Sequence, residues 1–228
     1  LEEIGKICRE HGIWLHVDAA YAGSAFILPE YQHYMKGIEH ADSFVFNPHK
    51  WLYTHFDCSL YYVKNPELLV RTFEILPEYL KTQATQVNNY RDWGIPLGRR
   101  FRALKLWFVL RSYGVEGLQA GLREHMRIAK VFYDLVEQSP DFEILAPLSL
   151  NLVCFRYAPP GADPAALDSI NESLVHRINQ RGHIYLTHTR LRGAYTLRMA
   201  IGQVTVEERH VRAAWEEIQG QALFASGL

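Results

Sequence analysis

The chain has 228 residues, 48% of them hydrophobic and 21% charged, and its 24 basic residues against 25 acidic ones give a formal net charge of −1. That balance is ordinary for a globular protein and argues against nucleic acid or any strongly charged partner. No apolar run approaches the ~20 residues a membrane-spanning helix needs. Cys8, Cys58 and Cys154, odd in number and without CxxC spacing, fit reduced thiols of a cytoplasmic protein better than a disulfide framework or a zinc site.

In chain order, an amphipathic helix is predicted over 2–11, ending near Gly12. Ile13-Trp14-Leu15-His16-Val17 is nearly continuous in apolar character, the pattern of a strand buried on both faces of a parallel sheet. This strand, 13–18, runs into Asp18-Ala19-Ala20-Tyr21-Ala22-Gly23, acidic and then small. A second strand is expected over 42–47, where Pro48 stops it, and a third over 58–63. The stretch 66–92 is mixed, and 77–86 within it suits a surface loop. Phe101, Leu104, Trp107, Phe108 and Arg111 keep helical spacing until Gly114 breaks the run, and a second helix covers 115–138.

After Pro140 the pattern changes. Strands at 142–146, 151–157, 184–188 and 194–201 alternate with helices near 163–181 and 205–222, which makes a small α+β domain. The reading is thus an α/β part over 1–110 followed by a small C-terminal α+β domain over 111–228, with no internal repeat and no low-complexity tract.

The chemistry concentrates at Asn47-Pro48-His49-Lys50-Trp51, which puts a lysine just past an apolar strand at the mouth of a sheet. A lysine in a desolvated site can lose its proton and attack a carbonyl as a free amine, as in the lysine tether of pyridoxal phosphate enzymes. In open α/β sheets ligands bind beyond the carboxyl ends of the strands, so Asp18 and Lys50 are expected to face one crevice. A carboxylate there can keep a pyridine nitrogen protonated, and Ala19 and Ala20 let a flat ring approach the backbone.

These residues carry a resemblance. His16-Val17-Asp18-Ala19-Ala20-Tyr21-Ala22-Gly23, Asn47-Pro48-His49-Lys50-Trp51, Phe56-Asp57-Cys58-Ser59, Pro96-Leu97-Gly98-Arg99-Arg100-Phe101-Arg102 and Leu152-Val153-Cys154-Phe155-Arg156 occur in the order found in the pyridoxal phosphate-dependent aromatic L-amino-acid decarboxylases. The chain resembles the C-terminal half of these group II, fold type I enzymes. Trp51 and the 56–59 segment lean toward the aromatic branch rather than its glutamate-decarboxylating relatives.

The resemblance implies a fold type I transferase-like architecture, with pyridoxal 5'-phosphate as cofactor. It makes Lys50 the Schiff-base lysine and Asp18 the partner of the pyridine nitrogen, and lays Ala20 against the ring. It brings Asn47 and His49 to the phosphate or its surroundings, and gives Gly98 a backbone contact to the phosphate across a dimer interface. Tyr79 matches the catalytic-loop tyrosine that helps protonate Cα, whereas relatives with phenylalanine there tend to be aldehyde synthases. The implied reaction is decarboxylation of an aromatic L-amino acid to its arylalkylamine. The implied partners are a second copy of the chain, in a homodimer, and an N-terminal half of the same enzyme.

Aldehyde synthesis is one alternative, and an inactive fragment lacking its N-terminal half is another. A third is a metal-dependent hydrolase built on His16-Val17-Asp18, although His16 alternates with core positions and reads more simply as a satisfied buried histidine. His33, His40 and His125 read as surface residues, Arg91 as a residue near the active site or a loop anchor, and Cys58 as strand packing rather than a nucleophile.

Overall fold

The computed structural model describes residues 1–74 and 88–225. The chain divides into two compact units, Leu1–Leu118 and Gln119–Leu228. The boundary read from sequence, after residue 110, lies in the same long helix as this division.

In the first unit, helix α1 (Glu2–Glu10) leads to strand β1 (His16–Asp18). Three short 3-10 turns then connect to β2 (Ser43–Phe46), which passes directly into the one-turn helix α2 (Pro48–Trp51). Strand β3 (Leu60–Val63) and helix α3 (Pro66–Phe73) follow. The sheet has the order β1-β2-β3: β1 runs parallel to β2 with Asp18 opposite Val45, and β3 returns antiparallel with Leu60 opposite Phe46.

The first strand is shorter and more open than its apolar run predicts. Ile13 and Trp14 lie outside it and are 56% and 48% exposed, and His16 and Asp18 are exposed as well. The physical reason is that β1 is the edge of this sheet, so its side chains have no cover beyond it. His16 is therefore no buried histidine; its Nδ1 lies 2.8 Å from the Ser43 hydroxyl. Helix α3 was also hidden in a stretch that reads as mixed. Asn65 caps it, accepting from the backbone N–H of Glu67 at 3.0 Å, and Pro66 takes the first helical position where its missing N–H costs nothing.

Helix α4 (Ala103–Glu137) contains non-helical backbone at Gly114, with φ 66° and ψ 176°, as the broken periodicity predicts. The second unit then builds an antiparallel sheet of order β4-β5-β7-β6 from β4 (Phe142–Ile144), β5 (Leu152–Tyr157), β6 (Thr187–Leu191) and β7 (Ala194–Ala200). Helices α5 (Leu167–Arg181) and α6 (Glu208–Ala225) complete it.

Period-2 alternation sends Val153, Phe155 and Tyr157 of β5 into one core with Phe132 of α4, Leu174 and Ile178 of α5, and Trp215 and Ile218 of α6. Phe132 meets Phe155 edge-on at 5.3 Å and Trp215 at 5.8 Å, the T-shaped arrangement that aromatic quadrupoles favour. Asn171 and His125 are among the buried polar residues of this unit. Asn171 accepts from Tyr157 N and donates to Tyr157 O and Leu167 O, all at 2.8 Å, tying α5 to β5. His125 is 2% exposed, not on the surface as its polar neighbours suggest, and burial pulls its ring below the usual histidine range.

Candidate active site

The parallel pairing of β1 and β2 brings their carboxyl ends together. Beyond the last strand residues the pairing continues: Ala19 N donates to Val45 O and Asn47 N to Ala20 O, both at 2.9 Å. The Asp18-Ala19-Ala20 segment and the Asn47–Lys50 turn are thereby laced to each other by backbone bonds.

At Asp18 one carboxylate oxygen accepts from its own chain, the N–H of Ala20, at 2.9 Å. The other oxygen has no partner among the described residues. At Lys50 the backbone N–H donates to Asn47 O at 2.9 Å, while the side chain is exposed and its ammonium makes no ion pair or hydrogen bond among the described residues. A lysine whose stem is fixed by a turn and whose amine is unengaged can accept a carbonyl ligand.

The turn carrying Lys50 is held from below and from the side. Trp51 is fully buried and stacks on Tyr21 at 5.2 Å with an interplanar angle of 8°. The ring Nδ1 of His49 lies 2.7 Å from Cys58 O and 2.9 Å from Cys58 N, so the backbone of Cys58 fixes the ring and leaves Nε2 open. Ser59 donates to Asn47 Oδ1 at 2.6 Å, which leaves the Asn47 amide NH2 available as a donor. Asp57 accepts from Arg102 Nε at 2.9 Å with Arg100 at 3.6 Å, and the Arg102 bond holds its carboxyl below the usual range. Cys58 is buried, and burial pushes its thiol up, as expected for strand packing rather than for a nucleophile.

Lys50, Asp18, Ala20, Asn47 and His49 therefore come together at one end of the sheet. Gly98 lies in the exposed segment 95–101 with open space where a side chain would stand, and no bond among the described residues ties it to the others. Tyr79 lies outside the described residues. Arg91 is half-buried, its Nε 3.2 Å from an Asp92 oxygen. The bonds of Asp57, Cys58 and Ser59 to the lysine turn and to Arg102 were not legible in the sequence: partners 9 to 45 residues apart carry no periodic signal.

The residues fit pyridoxal phosphate. An unengaged amine, a carboxylate with one open oxygen, small Ala20 beside it, and two donor side chains suit an aldehyde, a pyridine nitrogen, a flat ring and a phosphate respectively. A cavity of about 630 Å³ opens elsewhere, on the sheet face lined by Phe26, Phe44, Phe46 and Tyr62, and includes neither Asp18 nor Lys50.

Comparison with known proteins agrees. The aromatic-L-amino-acid decarboxylase of Sus scrofa is 51% identical over 225 residues, which cover 97% of this chain and 45% of the relative. Phenylacetaldehyde synthase of Arabidopsis thaliana is 49% identical, across 98% of this chain and 46% of that protein. Among solved structures, Oryza sativa TDC with PLP and tryptamine superposes with a TM-score of 0.91 at 41% identity, covering 98% of this chain and 47% of that one. The chain thus spans about half the length of the curated relatives it matches. The pyridoxal-dependent decarboxylase conserved domain matches residues 1–158, and the chain belongs to that family.

Proposed function

We propose that this chain is the lysine-bearing half of a pyridoxal phosphate-dependent enzyme that decarboxylates an aromatic L-amino acid to its arylalkylamine and carbon dioxide. One observation carries the reading: the unengaged Lys50 amine and the half-open Asp18 carboxylate stand on two segments joined by the Asn47 N–Ala20 O bond. Pyridoxal phosphate, when bound, supplies a protonated ring that takes up the electron pair left as a carboxylate departs.

The chain's own residues have separate tasks around that ring. Lys50 offers its amine as the covalent tether. Asp18 holds a proton at the pyridine nitrogen, and its bond to Ala20 N keeps the carboxylate from turning away. Ala20 presents a flat, side-chain-poor wall to one ring face. The Asn47 amide and His49 Nε2 donate toward the phosphate, and Gly98 contributes backbone to it from the second copy of the chain. Tyr79 delivers a proton to Cα, since a phenol of ordinary pKa near ~10 remains protonated at neutral pH.

Two partners are part of the proposal: a homodimeric second copy and an N-terminal half of the same enzyme. Exposed apolar side chains support both. Ile95 is 89% exposed and Phe101 75%, with exposed Leu97, Trp107 and Phe108 near them in sequence, and Ile4 and Ile7 of α1 stand uncovered as well. Patches of this kind mark interfaces. The three free thiols support a cytoplasmic location.

The test is amine and carbon dioxide release by the full-length enzyme from tyrosine, dihydroxyphenylalanine, phenylalanine, tryptophan and 5-hydroxytryptophan. Lys50→Ala is expected to abolish turnover and the visible absorbance of the tethered cofactor, and activity surviving in that variant would refute the assignment. The second reading, an aromatic aldehyde synthase, is favoured by the 49% identity to a phenylacetaldehyde synthase. Hydrogen peroxide and ammonia among the products would establish it, whereas Tyr79 favours decarboxylation alone.

A further inference from the structure

Four consecutive residues, Phe56 to Ser59, each touch a different part of the lysine turn or its surroundings. The Phe56 ring stands edge-on to the His49 ring at 4.9 Å, with an interplanar angle of 73°. Cys58 brackets His49 Nδ1 with its N–H and carbonyl, at 2.9 and 2.7 Å, and Ser59 donates to Asn47 Oδ1 at 2.6 Å. Asp57 binds Arg102, outside the turn, at 2.9 Å. A second contact reinforces that side, since the Cys58 thiol lies 3.9 Å from Arg102 O.

We propose that Asp57 is a positioning residue for the cofactor site, anchoring the 56–59 bridge to Arg102 so that the bridge holds Asn47 and His49 in place beside Lys50. The inference rests on the reading of Lys50 as the cofactor tether. Its physical basis is leverage. Three residues of the bridge contact the turn, and β3 holds its far end, where Leu60 lies opposite Phe46; its near end needs an anchor of its own. The bidentate reach of Asp57, to Arg102 and to Arg100 at 3.6 Å, provides one at the residue between Phe56 and Cys58.

Asp57 also faces more positive charge than its two arginines. Lys105 Nζ is buried with no hydrogen-bond partner, and its charge reaches both Asp57 and Cys58. A carboxylate among three cations has a defined seat, and a neutral amide there leaves the cations to repel one another. The effect of losing Asp57 is therefore expected at the bridge and, through it, at Asn47 and His49, rather than across the unit as a whole.

The test uses the full-length holoenzyme with Asp57→Asn, Asp57→Glu and Arg102→Gln. Cofactor release is followed by visible absorbance after dilution into a cofactor trap, and thermal unfolding is measured with and without cofactor. Asp57→Asn is expected to speed release by ~10-fold or more, the scale seen when an outer partner of a bound group is lost, while unfolding of the cofactor-free protein stays unchanged. Asp57→Glu should recover most of the wild-type rate. Combining Asp57→Asn with Arg102→Gln should add little to either alone, because the two act as one unit.

Unchanged release in Asp57→Asn would overturn the proposal, as would equal destabilisation of the cofactor-free and loaded forms, which is what a merely structural ion pair gives. Failure of the underlying reading looks different: borohydride reduction of the wild-type enzyme would then leave no pyridoxyl label on the peptide containing Lys50.

Discussion

Gly23→Ala is the sharpest packing test of the site. Gly23 is the second residue of the first 3-10 turn after β1, Ala22–Ile27, and its backbone N–H donates to Ala19 O at 2.8 Å. A methyl group at this position would stand 2.4 Å from Phe46 Cβ and 3.4 Å from Ala19 Cβ. Two carbon atoms rest near ~3.5–4.0 Å, so the Phe46 contact falls short by about 1 Å or more. What blocks the methyl is a Cβ rather than the end of a flexible side chain, so a rotamer change cannot relieve it and backbone must move.

Both segments that would move matter to the chemistry: Ala19 follows Asp18, and Phe46 precedes Asn47. Overpacking of this kind costs about 1–3 kcal/mol, against which the stiffer unfolded chain of alanine returns about 0.4–1 kcal/mol. The net is about 1–2 kcal/mol, or roughly 2–8 °C in Tm at ~2–4 °C per kcal/mol. A shift of about 1 Å between tether and carboxylate would lower kcat/KM by roughly 100-fold. Gly220→Ala is the matched control, because nothing lies within 4 Å of its methyl position in α6 and alanine should stabilise the helix by about 0.5–1 kcal/mol. Thermal melts and turnover of full-length enzyme read both. A Gly23→Ala protein with wild-type Tm and wild-type turnover would show that the strand ends are not packed as described.

Three further outcomes are expected. Asn171→Ala removes three buried hydrogen bonds, two of them to the backbone of Tyr157, and should destabilise the second unit by about 2–4 kcal/mol in denaturant titration, whereas a loss below about 0.5 kcal/mol, the worth of one weak contact, would contradict the bonding. His125 is held neutral by burial, so its folded pKa lies below its unfolded value. The unfolded chain then takes up the proton first, and stability present above about pH 6.5 is lost as pH falls below it. His125→Gln should flatten that part of the Tm-against-pH curve, and an unaltered slope would refute the assignment. Burial pushes the thiols of Cys58 and Cys154 up, so alkylation with iodoacetamide at pH 8 should be slow in the folded enzyme and fast in denaturant; mass spectrometry of the two peptides measures it.

Much of this was legible in the sequence because it is written locally. The strand end at Asp18, the lysine turn just past β2, the break at Gly114 and the strand-helix alternation of the second unit all follow from short-range pattern and turn chemistry. The failures have a common cause in missing neighbours. Ile13-Trp14-Leu15-His16-Val17 has the composition of a strand covered on both faces, yet β1 stands at an edge and His16 is exposed. His125 fails in the other direction, since polar neighbours along the chain say nothing about the helix face it occupies. The Asp57–Arg102 pair depends on a tertiary meeting that no spacing encodes.

The two units differ in how far they satisfy themselves, and the difference bears on function. In the second, helices and sheet close a core whose larger members, Phe132, Phe155, Leu174, Leu197 and Ile218, are fully buried. In the first, fully buried large side chains are few, with Trp51 and Leu28 foremost. Among the described residues every exposed large hydrophobic other than Tyr185, Val204, Leu223 and Phe224 belongs to Leu1–Leu118. Exposed apolar surface of that extent is unfavourable in water and favours whatever covers it. Lys50 and Asp18 sit in this less self-sufficient unit, on backbone that is locally well bonded. The local bonding holds the backbone of the Asp18–Ala20 segment against the turn that carries Lys50, and on the reading proposed above a covering surface would add the low-dielectric surroundings in which an amine becomes a nucleophile.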